Sequence, residues 1–266
     1  MEPYVISEPK GNTVPVLVSV PHSGTEFPSG IFESFHPDLA KAPDDTDWYV
    51  DQLYEFTKDM GITLIRATYS RWLIDLNRDI DNGALYDDGR ILTALCPLTD
   101  FFGRKLYVSA TPDKKEIALR VERYYLPYYR KVQEVLDDLK KRHGKVLLWD
   151  AHSIRRKVPT ISSEPFPDLI LGSVGGTSCH QRIIESVLDR LKKSQFTATH
   201  NHPFKGGQIT RSFGKPEKNQ NALQLELSKD LYLDMENMTL DRNKSKPLES
   251  LLKTTFEEIL IALESL

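Results

Sequence analysis

Apolar residues in this chain fall into short runs, separated by polar stretches that carry Gly and Pro. Val14–Val20 is a Val-rich run that predicts a buried strand, followed by a loop-rich stretch over 21–45 with Pro21, Gly24, Pro28, Gly30, Pro37 and Pro43. Asp45 or Thr46 then predicts the cap of a helix to about Met60, with Val50, Leu53 and Tyr54 on one face and Gly61 as its stop. Strands are expected over 62–66 and 71–76, and an irregular excursion near the functional site over 79–112. Residues 114–142 have helical character with a break at Pro127. In their second half Val132, Val135, Leu136 and Leu139 recur at the spacing of one buried face. Further strands are expected at 145–149, 168–171, 208–211 and 222–227, and helices at 178–191 and 247–264. Strands alternating with helices predict an α/β fold with a mixed, mainly parallel sheet covered on both faces. No repeat or long linker divides the chain, so residues 1–266 are expected to form a single catalytic domain.

Three polar sites stand where apolar runs end. Pro21-His22-Ser23-Gly24 follows Val16–Val20, Asp150-Ala151-His152-Ser153 follows 146–149, and Glu226 interrupts Leu223, Leu225 and Leu227. In open α/β sheets, ligands bind at the carboxyl ends of strands. Two imidazoles at such ends suit a hydrolytic metal site, which usually takes three protein ligands. They equally suit ordinary turn histidines, because no short-range motif joins His22 to His152. A third ligand could come from Asp44, Asp45 or Asp47, from Glu26, or from Asp150, which could instead orient an imidazole. Strand alternation puts Gln224 and Glu226 on one face. That face is either a solvated edge or the seat of a general base. Arg71, Asn77, Arg78 and Arg211 are candidate binders of a carboxylate; pairing of the arginines with Asp75 or Asp79 is the competing reading. Arg104 and Tyr107 could also reach the pocket.

A net charge of −3 without a basic block argues against nucleic acid or a membrane surface as the main partner. No apolar run approaches the roughly 20 residues of a membrane span. The polar start of the chain carries no signal-peptide core, and only two cysteines occur, far apart, so a reducing, cytoplasmic setting is expected.

At these residues the chain resembles the N-formylglutamate amidohydrolase family. The matching segments are Val18 to Gly24, Asp45-Thr46-Asp47-Trp48, Ser70-Arg71 to Asn77-Arg78, Leu148 to Ser153, Phe204 to Arg211 and Leu223 to Leu227. The resemblance implies a three-layer α/β/α fold like that of zinc carboxypeptidases and aspartoacylases. It implies one zinc ion on two histidines and an acidic residue, here His22, His152 and, by preference over Asp47, Asp45. It further implies Glu226 as the catalytic glutamate, and Arg71, Asn77, Arg78 and Arg211 as contacts to an acidic N-acyl amino acid. Hydrolysis of N-formyl-L-glutamate, the end of one route of histidine breakdown, is the implied reaction. An aspartoacylase-like deacylase, a small zinc carboxypeptidase, and a non-catalytic metal or amino-acid binder are the alternatives. The chain departs from the superfamily's His-x-x-Glu metal pair, since position 25 is Thr.

Overall fold

The structure, a computed structural model, describes residues 1–81 and 93–266. Part of the expected 79–112 excursion, at 82–92, lies outside the described residues. Among the described residues, seven strands form one sheet: β1 (Tyr4–Ser7), β2 (Val16–Val20), β3 (Thr63–Ala67), β4 (Val146–Ile154), β5 (Leu169–Gly172), β6 (Ala198–His200) and β7 (Gln220–Ser228). Their order is β1-β3-β2-β4-β7-β5-β6. The central neighbours β3, β2, β4 and β7 run parallel, while β1 against β3 and β5 against β7 are antiparallel. A small hairpin pairs β8 (Leu233–Asp234) with β9 (Thr239–Leu240).

The helices are α1 (Pro37–Ala40), α2 (Val50–Leu53), α3 (Lys114–Arg120), α4 (Leu126–His143), α5 (Gln181–Lys192), α6 (Gln208–Phe213) and α7 (Arg242–Glu264). Alternation along the buried strands feeds two cores. Leu147, Trp149 and Ala151 of β4 and the leucines of β7 face α5 and α7, where Ile183, Val187, Leu252 and Phe256 meet them. Val146, Leu148 and Ala222 face α4 and α6 through Tyr128, Val132, Leu136, Ile209 and Phe213. Each Val, Leu, Ile or Phe among them contributes about 1.5–3 kcal/mol when fully buried. The result is an α/β/α sandwich around a mixed sheet. Among the described residues no helix is long and apolar enough to cross a membrane.

Several elements differ from the sequence expectations. Residues 71–76 are buried turns rather than a strand. Their backbone donors go to local or distant acceptors (Leu73 to Ser70, Asp75 to Leu95), and they are apolar because Trp72, Leu73, Ile74 and Leu76 pack inward between two apolar clusters. Residues 208–211 belong to α6, which starts after Gly206 turns the chain at a φ of +120°. The helix expected over 45–60 is broken. Tyr49 sits in the left-handed region at φ +60°, the Asp47 amide is drawn to the His22 carbonyl, and only α2 and a 3₁₀ turn at Glu55–Met60 remain. The break at Pro127 is absorbed by a π-turn over Val121–Tyr125, between α3 and α4. β4 runs past position 149 to Ile154, so Asp150 and His152 lie within a strand.

Candidate active site

The β4–β7 register builds half of the site directly. Asp150 pairs with Gln224, and His152 pairs with Glu226. Parallel neighbours in register point to the same side of a sheet, so an imidazole and a carboxyl group stand side by side. Glu226 is the one residue of β7 that is not fully buried. Its Oε1 accepts a hydrogen bond from Gln224 Nε2 at 3.2 Å. Burial of a carboxylate in a central strand is tolerated here because that strand face opens into the site, not because β7 is an edge.

His22 arrives from the end of β2, and its ring centroid lies 4.8 Å from that of His152. Asp47 fits between them. Its Oδ2 is 3.2 Å from His152 Nδ1 and 3.7 Å from His22 Nδ1. One ligand atom from each of His22, Asp47 and His152 falls within a 4.8 Å cluster, and all three residues are buried. The far nitrogen of each ring meets another carboxylate. His22 Nε2 bonds Asp75 Oδ1 at 2.7 Å. His152 Nε2 lies 3.0 Å from Asp150 Oδ1, an electrostatic pairing off the line of a hydrogen bond, and 3.0 Å from Asn77 Nδ2. The hydrogen-bonded Asp75–His22 pair is of the kind that sets the tautomer leaving His22 Nδ1 free to ligate. Ser153 Oγ donates to the other oxygen of Asp47 at 3.3 Å. His22 Nδ1, Ser23 Oγ and Thr46 Oγ1 are buried with no hydrogen-bond partner among the described residues. An orphaned imidazole nitrogen facing a carboxylate is what a divalent cation would satisfy, so these residues fit one.

Asp45 does not join this cluster, which corrects the expectation that it supplies the acidic ligand. Its Oδ2 accepts from Trp72 Nε1 at 3.0 Å and its Oδ1 from the Phe101 amide at 3.1 Å. The turn reverses between positions 45 and 47, and Asp47 takes the place beside the imidazoles. Lys229, almost fully buried just beyond β7, ties this turn down by donating from Nζ to the Asp44 carbonyl at 2.6 Å.

Burial, reinforced by Arg71, lowers the His22 pKa to about 4, keeping the ring neutral. Burial also opposes protonation of His152, but Asp150 and Asp47 override it and raise that pKa well above the usual value. The Asp75 carboxyl stays well below the usual range despite burial, because Arg71 and His22 adjoin it. Burial pushes Glu226 up to about 7, against the pull of His152.

The cationic candidates occupy varied positions. Arg71 is buried, donates from Nη2 to Asp75 Oδ2 at 2.6 Å, and stacks under the Phe101 ring. Asn77 bridges two elements, with Nδ2 on His152 and Oδ1 accepting the Ile209 amide at 2.9 Å. Arg78 donates to Thr93 and to the Asn77 carbonyl. Arg211, on α6, donates from Nε to the Gly206 carbonyl at 3.0 Å. Arg104 pairs with Asp100, and Tyr107 receives a hydrogen bond from Arg120. Ser153 and Lys229 were not among the candidates read from sequence, and Asp75 was named there only as a pairing partner of the arginines, which it is for Arg71. Asp75 had a signal in the i,i+4 spacing of Arg71 and Asp75. Lys229 had none.

The N-formylglutamate amidohydrolase family model matches residues 14–233. This chain belongs to that family. It is 34% identical to an N-formylglutamate deformylase of Pseudomonas putida over 250 residues, covering 93% of this chain and 92% of that one. It is 38% identical to the Pseudomonas aeruginosa N-formylglutamate deformylase over 229 residues, covering 85% and 84%. A crystal structure of N-formylglutamate amidohydrolase from Ralstonia eutropha superposes with a TM-score of 0.83 at 25% identity, covering 98% of both chains. A solved structure from Agrobacterium tumefaciens shares the fold, with a TM-score of 0.76 at 15% identity and coverage of 99% and 97%. The family match spans every residue of the site, from His22 to Glu226.

Proposed function

We propose that this N-formylglutamate amidohydrolase family member is a metal-dependent deformylase that cleaves the N-formyl amide of N-formyl-L-glutamate to formate and L-glutamate. The observation that carries this reading is the His22–Asp47–His152 cluster standing beside Glu226, the register neighbour of His152. The names of the curated relatives support the substrate. His22, Asp47 and His152 would hold a divalent cation, with zinc suited to two imidazoles and a carboxylate. Such an ion supplies Lewis acidity toward the formyl carbonyl and acidifies water.

The chain's own groups do the rest. Glu226 accepts a proton from the attacking water at a carboxylate oxygen and hands it to the amine nitrogen as the C–N bond breaks. Asp75 and Asp150 hold the two rings in orientation, and Asn77 steadies His152 from the side of α6. Arg71, Arg78 and Arg211 supply guanidinium forks that match the substrate carboxylates and favour an acidic amino acid.

The test is metal analysis of purified protein, then turnover of N-formyl-L-glutamate, N-acetyl-L-glutamate and a dipeptide before and after chelation. We expect one divalent ion per chain, loss of turnover on chelation, its return with zinc, and preference for the formyl substrate. Turnover indifferent to chelation refutes the metal. Preference for the acetyl or peptide substrate replaces the reading with the deacylase or carboxypeptidase alternative.

A further inference from the structure

Phe101 lies in a tight turn whose ends are bridged by Thr99 and Lys105. Its peptide belongs to no helix or strand, yet side chains from two distant segments take both of its polar groups. Asp45 Oδ1 accepts the Phe101 amide at 3.1 Å, and Thr160 Oγ1 donates to its carbonyl. Asp45 is only 1% exposed, and its second oxygen is engaged by the Trp72 indole. A carboxylate can accept at both oxygens, whereas an amide of the same shape would turn an N–H₂ toward one of these donors. The Phe101 ring caps the Arg71 guanidinium at 5.0 Å and packs onto the apolar cluster of Ile154, Val158, Phe166 and Ile170. Arg71 connects through Asp75 to His22. The Asp45 carboxylate therefore bears on whether the arm carrying Phe101 lies down on the buried Arg71 guanidinium.

We propose that Asp45 is a positioning residue that holds Phe101 over Arg71, closing that wall of the site and acting on substrate capture rather than on the metal. The role rests on the deformylase reading. Water kept from the guanidinium face strengthens its attraction for a substrate carboxylate, because charge pairs gain as the local dielectric falls. An arm that lifts away lets water in and weakens that capture.

The experiment compares wild type, Asp45→Asn, Thr160→Val, Phe101→Ala and the Asp45→Asn/Phe101→Ala double variant. It measures zinc affinity by competition with a chromophoric chelator, and KM and kcat on N-formyl-L-glutamate. Zinc affinity is expected to stay near wild type in every variant, well short of the roughly 10–100-fold loss that follows removal of a group bonded to a ligand, since none of these side chains is a ligand or bonds one. KM should rise about tenfold or more in Asp45→Asn and Phe101→Ala while kcat changes much less, and the double variant should be no worse than the worse single, as expected of residues acting through one contact. Loss of zinc in Asp45→Asn, an unmoved KM, or additive effects overturn the role. Should Asp45→Asn fail to fold, Thr160→Val decides: a raised KM with zinc retained supports the role, and an unchanged KM overturns it. Wild-type protein that does not turn over N-formyl-L-glutamate refutes the deformylase reading and this role with it. Wild-type turnover with unmoved KM values refutes only the role of Asp45.

Discussion

Glu226→Gln removes the proposed proton acceptor while keeping the side chain's length and its neighbour Gln224. The three residues of the proposed metal cluster are untouched, so metal content should remain at wild-type level. A positioned general base contributes about 10²–10⁴ in rate. At 1.36 kcal/mol per decade, that is about 3–5 kcal/mol of transition-state stabilisation lost. The pH dependence sharpens the prediction. Burial pushes the Glu226 carboxyl up to about 7, Asp47 and Asp150 push the same way, and His152 and Arg71 oppose them. Only the ionised form accepts a proton, so activity must fall as pH drops through this pKa. A divalent cation beside His152 favours the ionised form, so the acid limb of the loaded enzyme should lie at or below pH 7. The assay is kcat/KM from about pH 5 to pH 9 for both proteins, with metal measured in the same samples. Turnover of the fully metallated variant within about tenfold of wild type would refute Glu226 as the base. So would an acid limb that survives unchanged in the variant.

Asp47→Asn should lose metal outright in a chelator competition, while Asp45→Asn keeps it; the reverse order would restore Asp45 as the ligand. Asp75→Asn leaves His22 Nε2 without its charged partner at 2.7 Å and should weaken metal binding about 10–100-fold; unchanged affinity would show that Asp75 serves Arg71 alone. A methyl group on Gly207 would stand 2.2 Å from Asn77 Nδ2, so Gly207→Ala must displace the amide that touches His152. Thermal melting should report a loss of about 1–3 kcal/mol, the range for overpacking, with a fall in metal affinity; a variant matching wild type in both would show that Asn77 does not hold the ring.

Much of the sheet was legible because buried parallel strands are written as short Val- and Leu-rich runs. β2, β3, β4 and β7 all lie at such runs. The same rule misled at 71–76. There, apolar residues signal burial in turns, and hydrophobicity alone does not distinguish a buried strand from buried turns. It misled again at 208–211, where four residues are too few to show a helical period. The helix expected from Asp45 failed for a different reason. Its first turn is recruited to present Asp47 to the imidazoles, and Tyr49 takes a left-handed backbone to permit it.

Residue types and their places at or inside apolar runs were enough to nominate His22, His152 and Glu226, because polar side chains inside apolar runs are costly without partners and therefore conspicuous. Alternation alone also assigned Gln224 and Glu226 to one face. Which aspartate joins the imidazoles was decided only in three dimensions. Asp45 and Asp47 are chemically identical and two positions apart, and their separation depends on the direction of a turn tied down by Lys229, His22 and Trp72 from far along the chain. The pairing of His152 with Glu226 likewise comes from the β4–β7 register, which is set by long-range packing of both strands and not by any local spacing.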